Sequence, residues 1–134
     1  TRKESSAASD VYKRQVVQIT AARIHHCDFC VAGHTAVALK KAQLPVETVR
    51  ALQQGAKTGD SKLDAVEAFA EAVIATRGAV QDADYQAFLQ AGFNEAQAIE
   101  VILGISLATL CNFTNSLAGT SINKELQPYA SGVI

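Results

Sequence analysis

Between Lys62 and Arg77, apolar side chains recur at Leu63, Val66, Phe69, Ala70, Val73 and Ile74, a spacing that lines them along one face of a helix. Ser61 can cap the start of this segment and Gly78 follows its last cationic turn, so the helix carries its own boundaries. The same punctuation recurs along the chain. Leu44-Pro45 ends a helix over Phe29 to Gln43, and Pro45 then serves as a first-turn residue for Val46 to Gln54, which Gly55 stops. Asp82 caps Ala83 to Ala91, ended by Gly92, and Asn94 with Gln97 resembles a capping box opening a helix over Glu95 to Leu117. Val16 to Ile24 is read as the end of a helix, Gly55 to Asp60 as loop, and Ala118 to Ile134 as loop with one short turn. With 49% apolar residues, no Trp and two prolines in 134 residues, the expectation is one all-α domain.

The helix from Glu95 is hydrophobic nearly all round through Ile99 to Leu110. It is expected to be buried on more than one side, in the core or against another subunit. Formal charge is −1, without a basic stretch suited to phosphates and without a run of about 18 apolar residues, so nucleic acid and membrane are poor partners. Three cysteines with one close pair do not make a secreted disulfide framework, and no signal peptide is visible. The cytoplasm is the expected compartment.

Residues 1–15 stand apart from the rest. Met is absent altogether, and Ser5-Ser6-Ala7-Ala8-Ser9-Asp10-Val11-Tyr12-Lys13-Arg14-Gln15 can be encoded by the adapter that transposase-based sequencing joins to genomic DNA. Natural sequence is therefore expected to begin at Val16, with a domain over 16–134 that lacks its upstream helix. Removing the four basic and two acidic residues of 1–15 leaves 8 against 11, a net charge of −3.

Chemistry concentrates in Cys27-Asp28-Phe29-Cys30-Val31-Ala32-Gly33-His34. The i, i+3 and i+7 spacing puts two thiols and an imidazole on one helix face. Such a C-x-x-C frame serves redox exchange or metal ligation, and the spacing alone does not choose between them. Two buried, unreactive cysteines are the bland reading. Zinc held by Cys27, Cys30 and His34 with His25 or His26 is another, disfavoured because no distant second pair clamps the metal. His25 and His26 are read as solvated cap residues, and Cys111 as an inert core cysteine. Asn112 and Asn115 are candidates for buried polar contacts. Glu67, Glu71, Asp82, Asp84 and Glu100 are placed at solvated helix positions.

From Val16 to about Leu126 the chain resembles the AhpD-like alkylhydroperoxidase branch of the carboxymuconolactone decarboxylase superfamily. The resemblance rests on Cys27, Cys30 and His34 in a Cys-x-x-Cys-x-x-x-His motif. Ala42-Gln43-Leu44-Pro45, Arg77-Gly78 before Asp82, Ala91-Gly92-Phe93 and Asn112-Phe113-Thr114-Asn115 support it. It implies an AhpD-like helical bundle that assembles as a homo-oligomer and runs a peroxidase cycle without metal, haem or flavin. Cys30 would be the peroxidatic thiolate, Cys27 the resolving thiol and His34 a proton relay. The partners implied are a peroxide, organic or hydrogen peroxide, and a dihydrolipoyl or thioredoxin-like dithiol donor. Two positions depart from the pattern. The family places a relay Glu twelve residues before the first motif cysteine, where this chain has Gln15, and Phe29 stands where some members carry His. The competing functions are a redox-silent binding or assembly module and a lactone decarboxylase-like enzyme.

Overall fold

The computed structural model describes the backbone of residues 2–134 and the side chains of residues 11–134. Its helices are α1 (Arg2–Ile24), α2 (Asp28–Lys40), α3 (Val46–Gln54), α4 (Ser61–Thr76), α5 (Asp82–Gln90) and α6 (Glu95–Ala118), followed by a 3₁₀ helix over Lys124–Tyr129. Among the described residues there is no strand, and the all-α expectation holds. Of the segment read as adapter-derived, Thr1 and the side chains through residue 10 lie outside the described residues. From Val11 onward α1 is packed, and Gln15 and Val16 are buried.

Helix α1 is the central strut, lying against α2, α4 and α6. Val16, Ile19, Ala21 and Ala22 have no exposed surface, so they fill the middle of the bundle. On α4 the helical-period residues Leu63, Val66, Phe69, Ala70 and Val73 are buried as the spacing predicts. Phe69 stacks on Phe88 of α5 at 4.3 Å between ring centroids, and Phe88 on Phe93 at 4.7 Å, so three rings tie α5 and the turn before α6 to α4. Helix α6 crosses α1 at Gly104, where an added Cβ would sit 3.1 Å from Val17 Cγ1 and where Gln18 Nε2 donates to the Gly104 carbonyl at 3.0 Å. Glycine is what lets the two backbones approach there.

Local chemistry sets most boundaries. The Asn94–Gln97 capping box forms with both of its hydrogen bonds, and Gly55 closes α3 in the left-handed region at φ 70°. Two expectations need correction. The α4 cap is Asp60, whose carboxylate accepts from the Lys62 and Leu63 amides, because its position one residue earlier aims it at the first free N–H groups; Ser61 is the first helical residue. Gln81 takes the cap position of α5 without a side-chain cap hydrogen bond, and Asp82 falls inside the helix. Helix α6 buries one face through Ala98, Val101, Ala108 and Asn112, while Ile99, Leu103, Leu107, Leu110, Phe113 and Leu117 stand exposed. By length and composition α6 is also apolar enough to cross a membrane, which run length alone does not anticipate.

Candidate active site

The motif begins where α1 is turned back on itself. Helix α1 ends at Ile24. His26 then takes a left-handed conformation at φ 56°, which reverses the chain, while the Cys27 amide still donates to the Ala22 carbonyl at 2.9 Å. Cys27 thereby becomes the cap residue of α2, its sulfur accepting from the Cys30 amide at 3.4 Å. The two cysteines are bonded to each other as a disulfide with Cα atoms 5.3 Å apart, within the ordinary range for such a bond. Both are buried, in a small apolar cluster with Ala22, Val31 and Phe29. Phe29, partly buried, packs against this cluster.

One polar group reaches this dry pair from another element. Asn115 of α6 directs its amide nitrogen at Cys30 Sγ, 3.7 Å away, and the same nitrogen is held by the Cys111 carbonyl at 2.8 Å. One helical turn beyond Cys30, His34 Nδ1 lies 3.1 Å from Gln15 Oε1. An amide oxygen can only accept, so Nδ1 carries the proton and Nε2 keeps its lone pair. Burial lowers the pKa of His34 below the usual imidazole value and favours this neutral form. Helix α2 is held in place on its other side by buried Gln53 of α3. Its Nε2 donates to Thr35 Oγ1 at 2.9 Å and to the Tyr129 carbonyl at 3.1 Å.

The remaining candidates divide. His26 is exposed, as expected of a solvated junction residue. His25 is half-buried instead, with Nε2 3.3 Å from Thr109 Oγ1 and its ring edge-on to Phe113 at 4.9 Å. Burial, and then the neighbouring His26, lower its pKa. Cys111 is exposed and free, against the core reading, because it lies one residue off the face that buries Ala108 and Asn112. Sequence suggests only a buried polar contact for Asn115; its aim at Cys30 comes from a contact 85 residues away. Among the described residues, no group of three or more His, Cys, Asp or Glu side chains is placed to hold a metal ion.

Glu67 is the largest departure from the sequence expectation. It is 4% exposed on the apolar face of α4, between Leu63 and Ala70, a position that the helical spacing already marked as inward. Arg23 reaches it at 4.0 Å and Glu71 at 3.6 Å, and the guanidinium lies over Gly55, where an added Cβ would come within 2.8 Å of it. Burial, reinforced by Glu71, pushes the Glu67 carboxyl up to about 7. Clefts of about 550 and 300 Å³ open between α4 and α6, the second reaching His25; neither is lined by Cys27, Cys30 or His34.

Compared with known families, residues 9–73 match the model of the carboxymuconolactone decarboxylase family. The matched stretch starts within α1, inside the segment read as adapter-derived, and covers the Cys27-to-His34 motif through most of α4. No curated protein matches the chain.

Proposed function

We propose that the chain, whose residues 9–73 match the model of the carboxymuconolactone decarboxylase family, which includes the AhpD-like proteins, is an AhpD-like thiol peroxidase that reduces organic hydroperoxides through Cys27 and Cys30. The observation that carries this reading is the bonded Cys27–Cys30 pair at the N-terminus of α2, with His34 one turn beyond it.

In the proposed cycle the Cys30 thiolate attacks the outer oxygen of the hydroperoxide. The O–O bond breaks, Cys30 becomes a sulfenic acid, and the departing alkoxide takes a proton to leave as alcohol. Cys27 then attacks the sulfenic sulfur, closing the disulfide and releasing water. An external dithiol restores both thiols by exchange and is itself oxidised to a disulfide. Asn115 supports Cys30 as the attacking sulfur, because an N–H aimed at Sγ favours the thiolate over the thiol. The Cys30 amide and the N-terminal end of α2 favour negative charge on Cys27, which suits it to leave when the reductant attacks Cys30. His34, neutral with Nε2 free, is suited to accept a thiol proton and return it to the leaving alkoxide.

One observation favours the redox-silent reading: Gln15 occupies the contact with His34 and cannot accept a proton at neutral pH. Thiol titration separates the two. The reduced protein is expected to lose two of its three thiols after one equivalent of cumene hydroperoxide and to regain them with dihydrolipoamide. Unchanged free thiol after the peroxide overturns the peroxidase reading.

A further inference from the structure

The two clefts between α4 and α6 are one groove. Val73, Gly78 and Ile102 line both, so the smaller continues the larger along α6 from Glu95 to Thr109. At about 550 and 300 Å³ they lie within the roughly 300–1,000 Å³ of small-molecule sites. Phe69, Val73 and Ala98 give the groove a buried floor, and Ile99 and Ile102, 64% and 38% exposed, stand in its wall. An apolar trough open to water along one side suits a chain of methylene groups.

Polar groups are sorted by sign along this trough. At one end stand Asp82, which opens α5, and Glu95, which opens α6; at the other stand Arg77 and His25 with the hydroxyls of Ser106 and Thr109. Arg77 is the unusual member. It closes α4 in the left-handed region at φ 54°, a place that glycine ordinarily fills, although Gly78 is the next residue. The dipole of α4 does not require this, since a cation within the last turn would serve it as well. Arg23 and Arg50 each reach a glutamate, whereas among the described residues the Arg77 guanidinium has neither an ion pair nor a hydrogen bond.

We propose that this groove binds a free fatty acid, its carboxylate on Arg77 and its alkyl chain running between α4 and α6 towards Val80. Charge selects both the ligand class and its direction. A guanidinium meets a carboxylate through two parallel hydrogen bonds, and Asp82 with Glu95 repels that headgroup from the far end, where only an uncharged tail fits. A cationic amphiphile is the weaker occupant, because Asp82 and Glu95 already lie in the first turns of their helices, where the helix N-termini answer their charge. Helix α6 of a second copy is weaker too: from Val101 to Leu117 it has no charged residue to offer Arg77.

Occupancy is felt at the turn into the dithiol. Burial and then His26 hold the His25 pKa down. Of the residues lining the smaller cleft, only Arg77 adds a further charge. A carboxylate seated there offsets that charge and sets a negative one in the cleft, so binding raises the His25 pKa.

Calorimetric titration of the full chain with laurate below its micelle concentration, with the His25 Cε1–H shift followed against pH, tests the proposal. No peroxide is present, so the outcome does not depend on the peroxidase reading. One laurate per chain and a raised His25 pKa are expected. Arg77→Gly removes the charge while suiting the left-handed conformation, so α4 keeps its ending; it is expected to weaken laurate about tenfold or more without lowering the melting temperature. Dodecyltrimethylammonium is expected to bind about tenfold or more weakly than laurate. No saturable laurate binding, equal binding to the Arg77→Gly protein, or tighter binding of the cation overturns the proposal. So do Val73 and Ile102 methyl shifts that move with protein concentration alone, which would put a second copy in the groove.

Discussion

Replacing Gln15 by Glu tests whether the contact with His34 works as a proton path. In the chain as it stands Gln15 Oε1 lies 3.1 Å from His34 Nδ1, and Gln15 is 9% exposed. A carboxylate there puts a negative charge about 4 Å from the imidazolium, worth ~4 kcal/mol at an effective dielectric of about 20. Desolvation of the pair offsets much of this, leaving about one to two pKa units in favour of the charged ring, or ~1.4–2.7 kcal/mol. The sign is specific. In the native chain burial lowers the His34 pKa, so its contribution to stability is full above the unfolded value of about 6.5 and is lost as pH falls through the folded value. In the Gln15→Glu protein the carboxylate raises that pKa, so the contribution is full below about 6.5 and is lost as pH rises through the folded value. Histidine Cε1–H chemical shifts followed against pH read the pKa directly. Stopped-flow oxidation of the dithiol by cumene hydroperoxide reads the chemistry, and an acceleration of roughly tenfold or more near pH 7 is expected from a restored base. A raised His34 pKa with an unchanged oxidation rate would refute the relay, and an unmoved pKa would refute the contact itself.

Three further outcomes follow from the geometry. Cys27→Ser is expected to stop the cycle at the Cys30 sulfenic acid, seen as a single dimedone adduct at Cys30 by mass spectrometry; an adduct on Cys111 instead counts against the assignment. Asn115→Ala removes a hydrogen bond to a charged acceptor worth ~1.5–3 kcal/mol, so the Cys30 thiol pKa is expected to rise and the oxidation rate at pH 7 to fall about tenfold or more, read from the pH profile of alkylation. Glu67, pushed up to about 7, favours the fold below about pH 4.5 and loses that contribution as pH rises towards 7, on the order of 3 kcal/mol. Melting followed by circular dichroism is therefore expected to show stability falling across this window, and Glu67→Gln to flatten it; an equal slope in both proteins refutes the assignment.

The sequence disclosed most where local physics decides the outcome. The spacing from Leu63 to Val73, the Asn94–Gln97 capping box and the stop at Gly55 depend on neighbours within one turn, and each appears in the fold as read. The motif cysteines were legible for the same reason, since three residues fix their separation on α2. Long-range choices were not legible. A lone carboxylate at Glu67 could have turned outward, and it is buried because Arg23 arrives from α1 to meet it. Hydrophobicity around all of α6 does not reveal which face the bundle takes, and Gly104 against Val17 decides it. Gln15 is identified from its distance to Cys27 along the chain, whereas its hydrogen bond to His34 needs α1 and α2 folded side by side.

The bond between Cys27 and Cys30 closes a loop of only four residues, all within the cap and first turn of one helix. Restraining so short a loop removes little freedom from the unfolded chain, about 2 kcal/mol by loop-entropy reasoning. The sulfur of Cys27 can accept a hydrogen bond from the Cys30 amide as a thiolate as well as when bonded, so opening the bridge leaves the helix capped. Oxidation state and architecture are thus separable variables in this domain: the bridge can open and close without the framework being dismantled and rebuilt.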